Sequence, residues 1–424
     1  MQFIHKNKVF SLLYLLAVLV TLLMVYKLGF RDAAHQIVGQ PERLRDITFY
    51  IWDNYPLSKH GYLVFYSLDD FNKNIAYSNH STAYLFYIYV LYKIEVLIPA
   101  FQMRVISAVL NILSLMGIVF YIISNTIRQS IPTLKGLVVL LAVIFMVSMP
   151  GYWISAARFN VDNVFPLIAA MQMLISFFIW QDKDYDYKTR FTILLFSLFC
   201  PLPSIILGLA LVMYSIGHDG FNAKLFKLAA FAGLMGAVFY LQAPIASKIL
   251  GFTSSNSGWL FRSGFDGDKT YFSNALMALV APYFPRPVHI IAIPILLLLV
   301  QIAYFRAVSL AIKSESGKGS GAEATVTTGI FKYLIFSQYI FMWLLWPQAI
   351  AIHPYLYDFL LLAPISLLII LNFLKLPKPF YLARLWVLAL LFLISFNFQQ
   401  IAQGKCNGCY YPTWGSDGGY FESK

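Results

Sequence analysis

The sequence predicts an all-α polytopic membrane protein with about 11 transmembrane helices and a long first extracytoplasmic loop that carries juxtamembrane helices. The chain of 424 residues is 59% hydrophobic and only 12% charged, with a mean hydropathy of +0.69. Soluble domains average about 45–50% apolar and about 25% charged residues. Apolar stretches recur along the chain, and most charged residues fall in the loops between them. This distribution excludes an ordinary soluble globular protein.

The first apolar segment, residues 9–28, follows His5, Lys6 and Lys8. A stretch of about 20 apolar residues can span a bilayer, and flanking basic residues favour the cytoplasmic side. A cleaved signal peptide is the alternative, but no small-residue cleavage site follows the segment. We therefore expect an uncleaved helix whose N-terminus is cytoplasmic.

Further apolar segments complete the predicted crossings. They are residues 103–123, 133–150, 160–180, 190–200, 203–216, 225–243, 287–306, 330–349, 355–374 and 381–398. Pro201 and Pro203 interrupt the run 190–216, which fits either one kinked helix or two short helices that meet outside. Counting basic residues in short loops favours two helices. The tail 401–424 is then extracytoplasmic.

These crossings form two predicted modules. Residues 1–243 contain the first span, the first outer loop 29–102 and the next six spans. Residues 244–424 contain the outer loop 244–286, the remaining four spans and the tail. Lys93 and Glu95 interrupt the run 81–97, which we expect to be a helix lying on the outer surface.

The net charge of +12 would suggest a nucleic-acid partner in a soluble protein. Here the basic residues are better explained by the orientation of membrane helices, so we expect no nucleic-acid partner. Three cysteines are too few for a disulfide framework. Cys406 and Cys409 could form a disulfide in an oxidising compartment or remain free thiols, and both alternatives are favoured over a metal site.

The first outer loop carries most of the candidate chemistry: Asp46, Asp53, Asp69, Asp70 and His80, followed by the aromatic run 84–92. Asp46 opens a short apolar stretch, residues 47–52, that could lie along the membrane surface. The adjacent Asp69 and Asp70 could ligate a divalent cation. His80 fits a metal ligand, a phosphate donor or a plain interfacial histidine. Each residue alone also fits an ordinary surface position, and only their clustering favours a functional site.

Other outer ends of predicted spans carry further candidates. Arg158 and Asp162 share one helix face at four-residue spacing, so they form either a structural ion pair or part of a site. The late segment His353-Pro-Tyr355-Leu-Tyr357-Asp358 opens another span in the same layer. Arg262 and Lys269, in loop 244–286, suit a phosphate-bearing ligand, although solvated loop charges are the more common case.

This arrangement resembles the GT-C superfamily of membrane glycosyltransferases, with lipid A aminoarabinose transferases and protein O-mannosyltransferases as the nearest relatives. The similar stretches are His80 to Tyr87, Arg104 to Ala108, Arg158 to Asn163, and His353 to Tyr357. Ser81 and Thr82 stand where the family motif has prolines. The late motif lacks its arginine, and loop 244–286 has no histidine where some relatives place a metal ligand.

The resemblance implies that residues 1–243 form a catalytic module acting on a polyprenyl-phosphate-linked sugar donor and a glycan or lipid acceptor at the outer membrane face. By position, Asp46 corresponds to the family's catalytic carboxylate, and Asp162 and His80 shape the site. Arg158 or Arg262 would bind phosphate, with Lys269, His353, Tyr355, Tyr357 and Asp358 nearby. Asp69 and Asp70 are substitutes for Asp46. If a divalent cation binds, the candidate ligands are Asp69, Asp70 and His80.

Three alternatives remain from the sequence: an O-antigen-type polymerase, a polytopic lipid or glycan flippase or transporter, and a structural membrane subunit. A polymerase normally places its large loops later in the chain. A transporter normally shows repeats and polar residues at mid-bilayer depth. The expected location is a bacterial inner membrane, although the sequon Asn79-His80-Ser81 leaves a eukaryotic origin open.

Overall fold

The protein is mostly helical throughout the part of the chain that the structure describes. This structure, a computed structural model, describes residues 2–24, 40–65, 67–76, 82–95, 100–126, 130–149, 152, 164–181, 187–218, 223–254, 367, 370 and 380–402. Its helices before the first strand are α1 (Gln2–Lys6), α2 (Lys8–Met24), α3 (Gln40–Asn54), α4 (Leu57–His60) and α5 (Leu68–Asn72). Strand β1 (Ile75–Ala76) follows. The later elements are α6 (Thr82–Glu95), α7 (Ala100–Thr126), α8 (Thr133–Ser148), α9 (Val164–Gln181), α10 (Tyr187–Phe199), α11 (Pro201–His218), α12 (Ala223–Ile249), β2 (Thr253–Ser254) and α13 (Phe380–Ala402).

One large apolar core joins helices α2, α7, α8, α9, α10, α11, α12 and α13. Within this core, polar side chains form hydrogen bonds to backbone carbonyls or to other polar side chains. The Tyr14 hydroxyl of α2 donates to the carbonyl of Met116 in α7 at 2.7 Å. The amide of Asn397 in α13 donates to the Ser148 hydroxyl of α8 at 3.1 Å. Such pairing removes the cost of burying a polar group in an apolar interior.

Glycines bring α11 and α12 into close contact. A Cβ atom at Gly208 would lie 2.9 Å from the carbonyl oxygen of Ala229, and one at Gly236 would lie 2.6 Å from that of Pro201. Neither position therefore has room for a side chain. Pairing 201 with 236 and 208 with 229 also shows that the two helices run antiparallel. Small residues allow this approach between apolar helices that gain little from excluding water.

The chain bends sharply at Cys200, between α10 and α11. The hydroxyl oxygens of Ser197 and Ser204 lie 2.6 Å apart, whereas seven residues of straight helix rise by about 10 Å. Phe199 packs in the apolar cluster that contains Ala243, Leu250 and the buried aromatic residues of the first loop. The bend therefore lies at the end of the molecule where the first loop lies, and it confirms two helices rather than one long helix.

The first loop folds into a compact body, here called the first-loop unit, which comprises α3, α4, α5, β1 and α6. Its apolar cluster includes Phe49, Trp52 and Phe65 together with Ala243 and Phe252 at the C-terminal end of α12. Strand β1 pairs in parallel with β2, so Ile75 faces Thr253 and Ala76 faces Ser254. The unit is thus joined to the segment that follows α12, although Ile75 and Thr253 are 178 positions apart in the sequence.

Among the described residues, two helical stretches are long and apolar enough to cross a membrane, namely Ala108–Thr126 and Ala223–Ile249. Only 39% and 28% of these stretches are buried within the chain, whereas the central helix of a soluble protein is mostly buried. Shorter apolar helices occur at Lys8–Leu23, Ala83–Ile94, Thr133–Ser148, Leu167–Ile179, Pro201–Ile216 and Trp386–Ser395. The predicted count of about 11 crossings is therefore not confirmed.

One predicted boundary needs correction. Helix α12 continues through Pro244 to Ile249, so the outer loop predicted to begin at 244 begins later. Asp46 and the apolar stretch 47–52 that follows it both lie within α3, which begins at Gln40. The predicted spans 287–306 and 330–349, most of 355–374, Cys406 and Cys409 lie outside the described residues.

Candidate functional site

The candidate site is the surface of the first-loop unit that bears the carboxylates of α3. Asp46 is exposed on this helix, and Asp53 follows seven residues later. At 3.6 residues per turn, positions seven apart lie on the same face, about 10 Å apart along the axis. Helix α3 therefore presents two acidic side chains along one side, and its other side packs into the aromatic cluster.

Asp53 holds α3 against α6. Its carboxylate accepts a hydrogen bond from the Tyr89 hydroxyl and forms an ion pair with Lys93. The Lys93 ammonium also lies 5.3 Å from the centroid of the Tyr89 ring. The hydrogen bond to Asp53 is the largest cause of the raised pKa of Lys93, which keeps this side chain cationic. Asp53 is thus engaged as an acceptor between two helices.

Aromatic rings pack against the buried side of α3 and fix its position. The ring centroids of Phe49 and Trp52 are 5.3 Å apart, and those of Trp52 and Tyr89 are also 5.3 Å apart. The Trp52 indole N–H donates to the carbonyl of Leu63 at 2.8 Å. The Thr48 hydroxyl accepts from the Phe65 N–H at 3.1 Å. These bonds tie α3 to the extended segment 63–65 and give Asp46 a rigid support.

The turn after α4 carries backbone strain. Gly61 and Tyr62 both have positive φ, 53° and 56°, which is rare for a bulky residue such as Tyr62. The Tyr62 N–H donates to Nδ1 of His60 at 3.1 Å, and the Tyr62 ring packs edge-on against Trp52 at 5.0 Å. Strained conformations persist only where surrounding contacts impose them, and they concentrate at functional sites.

His60 is enclosed by the same cluster. Its side chain is 2% exposed and stacks on Trp52 with a centroid separation of 6.3 Å. Burial lowers the pKa of His60, and a backbone hydrogen bond to Tyr55 partly opposes that shift. Nδ1 accepts the Tyr62 N–H, so the neutral imidazole is the form that fits this environment.

Asp69 and Asp70 occupy the first turn of the short helix α5. The Ser67 hydroxyl caps that helix by accepting from the Asp70 N–H at 3.0 Å. Acidic side chains at a helix N-terminus stabilise the helix by interacting with its dipole. This position gives both residues a structural explanation that needs no metal. Within the part of the chain that the structure describes, no three His, Cys, Asp or Glu side chains are grouped as metal ligands.

The structure thus places three of the residues predicted from sequence, Asp46, Asp69 and Asp70, in one folded unit. The remaining candidates lie outside the described residues: His80, Arg158, Asp162, Arg262, Lys269, His353, Tyr355, Tyr357 and Asp358. Whether these side chains approach Asp46 therefore stays a prediction.

Sequence reasoning missed four residues that shape this surface: Asp53, His60, Tyr89 and Lys93. Asp53 was counted among the loop acids but was given no function. One usable signal was present, because Tyr89 and Lys93 are four residues apart and must share a face of α6. The partner of that face could not be found from spacing, since Asp53 is 36 residues away from Tyr89.

An exposed carboxylate on a rigid helix can accept a proton from a bound hydroxyl group, and a neighbouring cation can stabilise developing negative charge. Asp46 supplies the first of these groups, and Lys93 lies on the same unit. Protein-family models, curated proteins and solved structures give no match to this chain.

Proposed function

We propose that this chain is an inverting glycosyltransferase of the GT-C type, which moves a sugar from a polyprenyl-phosphate carrier to an acceptor at the outer face of a membrane. Its acceptor would be a cell-envelope glycolipid or polysaccharide. The observation that carries the proposal is the exposed Asp46 carboxylate, on a helix that aromatic packing holds beside apolar helices of membrane-spanning length.

The order of elements supports this proposal. Helix α2 is followed by a long loop that is folded into short helices, then by the apolar helix α6, and only then by α7. The same order belongs to the family that the sequence resembles. The apolar side chains exposed on α2, among them Val9, Leu12 and Leu16, suit a hydrocarbon environment better than water.

The chemical step needs one base and one leaving group. Asp46 would take the proton of the acceptor hydroxyl while the hydroxyl oxygen attacks the anomeric carbon from the face opposite the phosphate. The new bond joins that oxygen to the anomeric carbon. The bond from the anomeric carbon to the phosphate oxygen breaks, and its electron pair leaves with the polyprenyl phosphate.

The departing phosphate needs positive charge. Arg158 and Arg262 are the proposed phosphate partners, with Lys269 in support, because arginine can hold phosphate through two parallel hydrogen bonds. Asp162 and His80 are proposed to shape the sugar site, and His353, Tyr355, Tyr357 and Asp358 to line it. A divalent cation could share the phosphate charge, with Asp69, Asp70 and His80 as candidate ligands.

Among the acids of the first-loop unit, Asp46 is the proposed base because it is exposed and corresponds by position to the catalytic carboxylate of the family that the sequence resembles. Asp53 is engaged by Lys93 and Tyr89. Asp69 and Asp70 lie in the first turn of α5, where acids stabilise the helix. We propose a bacterial inner membrane as the location, with the N-terminus in the cytoplasm and the C-terminus outside.

The test is donor consumption by the purified full-length protein in lipid nanodiscs. A panel of polyprenyl-phosphate sugars is supplied with candidate acceptors, and release of polyprenyl phosphate is measured. The substitution Asp46→Asn should lower the rate about 100-fold or more, because a general base contributes about 10²–10⁴-fold. Lys59→Gln is the matched control, because it also removes one exposed charge from the first-loop unit; it should change the rate by less than about threefold, since such surface substitutions usually change stability by less than about 0.5 kcal/mol.

The results distinguish the assignment of Asp46 as the base from the proposed transferase activity itself. A fully active Asp46→Asn variant would remove Asp46 from the mechanism, and loss of activity in a separate Asp69→Asn variant would then assign the base function to Asp69. An unsubstituted protein that leaves every donor intact would overturn the proposed activity.

A further inference from the structure

Helix α6 has two apolar sides. Tyr84, Leu85 and Ile88 are buried in the first-loop unit. On the other side lie Phe86, Tyr87, Val90 and Ile94, here called the α6 stripe, which are between 38% and 47% exposed. Residues 86, 90 and 94 follow one another at four-residue spacing, and 87 is adjacent, so the stripe runs along one face of the helix.

The other long helix of the unit has a different outer side. Helix α3 exposes Asp46, Asp53 and Asn54, which are groups that water solvates well, together with Tyr50, which is 49% exposed. A helix at an aqueous surface normally has a polar outer side, and a helix that is apolar all round requires apolar surroundings. The two helices of one compact unit are therefore suited to two different media.

The chain itself indicates which apolar medium lies next to α6. Helix α6 ends at Glu95 and α7 begins at Ala100. Five residue steps extend over at most about 18 Å, so the end of α6 must lie near the beginning of α7. The stretch Ala108–Thr126 of α7 is one of the two candidate membrane spans, and its Leu113 is 46% exposed.

Lys93 marks the border between the two media. It projects from α6 next to Ile94 but reaches Asp53 on the polar side of α3. A lysine can lay its aliphatic stem along an apolar surface while its charge stays in a polar layer. Tyrosine side chains such as Tyr87 and Tyr89 are also enriched at the level of lipid headgroups.

We infer that α6 is an interfacial helix whose stripe is buried among the acyl chains of the outer leaflet, while the carboxylates of α3 face water. This inference rests on the membrane location included in the proposed function. It assigns a lipid-binding surface to the first-loop unit. It also implies that a water-soluble group reaches Asp46 from the aqueous side and not from the bilayer.

Spin labels at three positions of the full chain test this orientation. Single cysteines replace Val90 in the stripe, Asn54 on α3 and Leu113 on α7, in a chain whose Cys406 and Cys409 are replaced by serine. The buried Cys200 is controlled by labelling the chain without a new cysteine. The protein is placed in nanodiscs of phosphatidylethanolamine and phosphatidylglycerol, and collisions with oxygen and with a water-soluble nickel complex are measured.

We expect the labels at 90 and 113 to collide mainly with oxygen, and the label at 54 mainly with nickel, with an oxygen-to-nickel ratio at least fivefold higher at 90 than at 54. Nickel access at 90 with oxygen access at 113 would overturn the inference and leave the membrane location standing. Nickel access at 113 would overturn the membrane location as well, and with it the proposed function. Protection from both reagents at 90, with spin–spin broadening, would show a second copy of the chain on the stripe and would also overturn the inference.

Discussion

His60 makes the first-loop unit sensitive to pH. Its pKa is lowered by burial, so the unfolded unit, with a histidine pKa near 6.5, binds a proton more readily than the folded unit. Stability therefore rises with pH between the two pKa values. The stability that depends on neutral His60 is fully present above about pH 6.5, and it is lost progressively as the pH falls below that value toward the pKa of the folded state.

Hydrogen exchange measures this effect. Acidification from about pH 7.5 to about pH 5 should increase the exchange of residues 46–65 after correction for intrinsic rates, because protonation disrupts the bond from Tyr62. The substitution His60→Asn retains an acceptor near the position of Nδ1 but does not titrate, so its exchange should not respond to pH in this way. Equal pH responses in both proteins would contradict the assignment to His60.

At the scale of single residues, the sequence predicted where acids cluster but not which ones are engaged. Asp46, Asp69 and Asp70 were identified because they stand in one polar loop between apolar segments. The partners of Asp53 could not be identified, because its contacts with Tyr89 and Lys93 exist only once α3 packs on α6. Spacing along one helix shows which residues share a face, but not what lies opposite that face.

At the scale of helices, hydropathy was a good guide to position. Each predicted apolar segment within the described part of the chain corresponds to a helix, because helices satisfy their own backbone groups in apolar surroundings. The predicted start of the outer loop at 244 was wrong, because α12 continues through Pro244. One proline removes a single backbone hydrogen bond, and packing of Ala243 and Ala246 against the first-loop unit accompanies the continuation of α12 to Ile249.

The contact between α11 and α12 gives a sharp prediction. Gly236→Ala should destabilise the protein by about 1–3 kcal/mol, because the new methyl group would overlap the backbone at Pro201 and force the helices apart. Gly233→Ala is the matched control in the same helix, where an added Cβ has no atom within 4 Å. That variant should be neutral or stabilising, since alanine favours helix more than glycine does.

Thermal unfolding in nanodiscs distinguishes the two glycine variants. The melting temperature should fall by several degrees for Gly236→Ala and should stay constant or rise for Gly233→Ala. Equal melting temperatures would show that the helices pack less closely at Pro201 than the structure indicates.

At the scale of the whole molecule, the first loop and the segment after α12 behave as one body. Phe252 packs against Phe65 and Phe71 with centroid separations of 5.4 Å and 6.2 Å, next to the pairing of β1 with β2. No local pattern predicts this junction, because its two parts are far apart in sequence and each strand has only two residues. The junction would matter for the proposed function, since it holds the carboxylate-bearing unit next to the end of a candidate membrane helix.

Phe252→Ala tests that junction. Removing a largely buried phenylalanine side chain costs about 3–5 kcal/mol in a well-packed core, so residues 67–76 and 250–254 should both exchange faster, and by similar factors. Phe226→Ala is the matched control, because Phe226 lies on α12, the helix that precedes the junction, but is 43% exposed, and it should leave both segments unchanged. Faster exchange at 250–254 alone would mean that the first-loop unit keeps its position without Phe252, and the proposed support for Asp46 would then have to come from other contacts, such as the packing of α6 on α10.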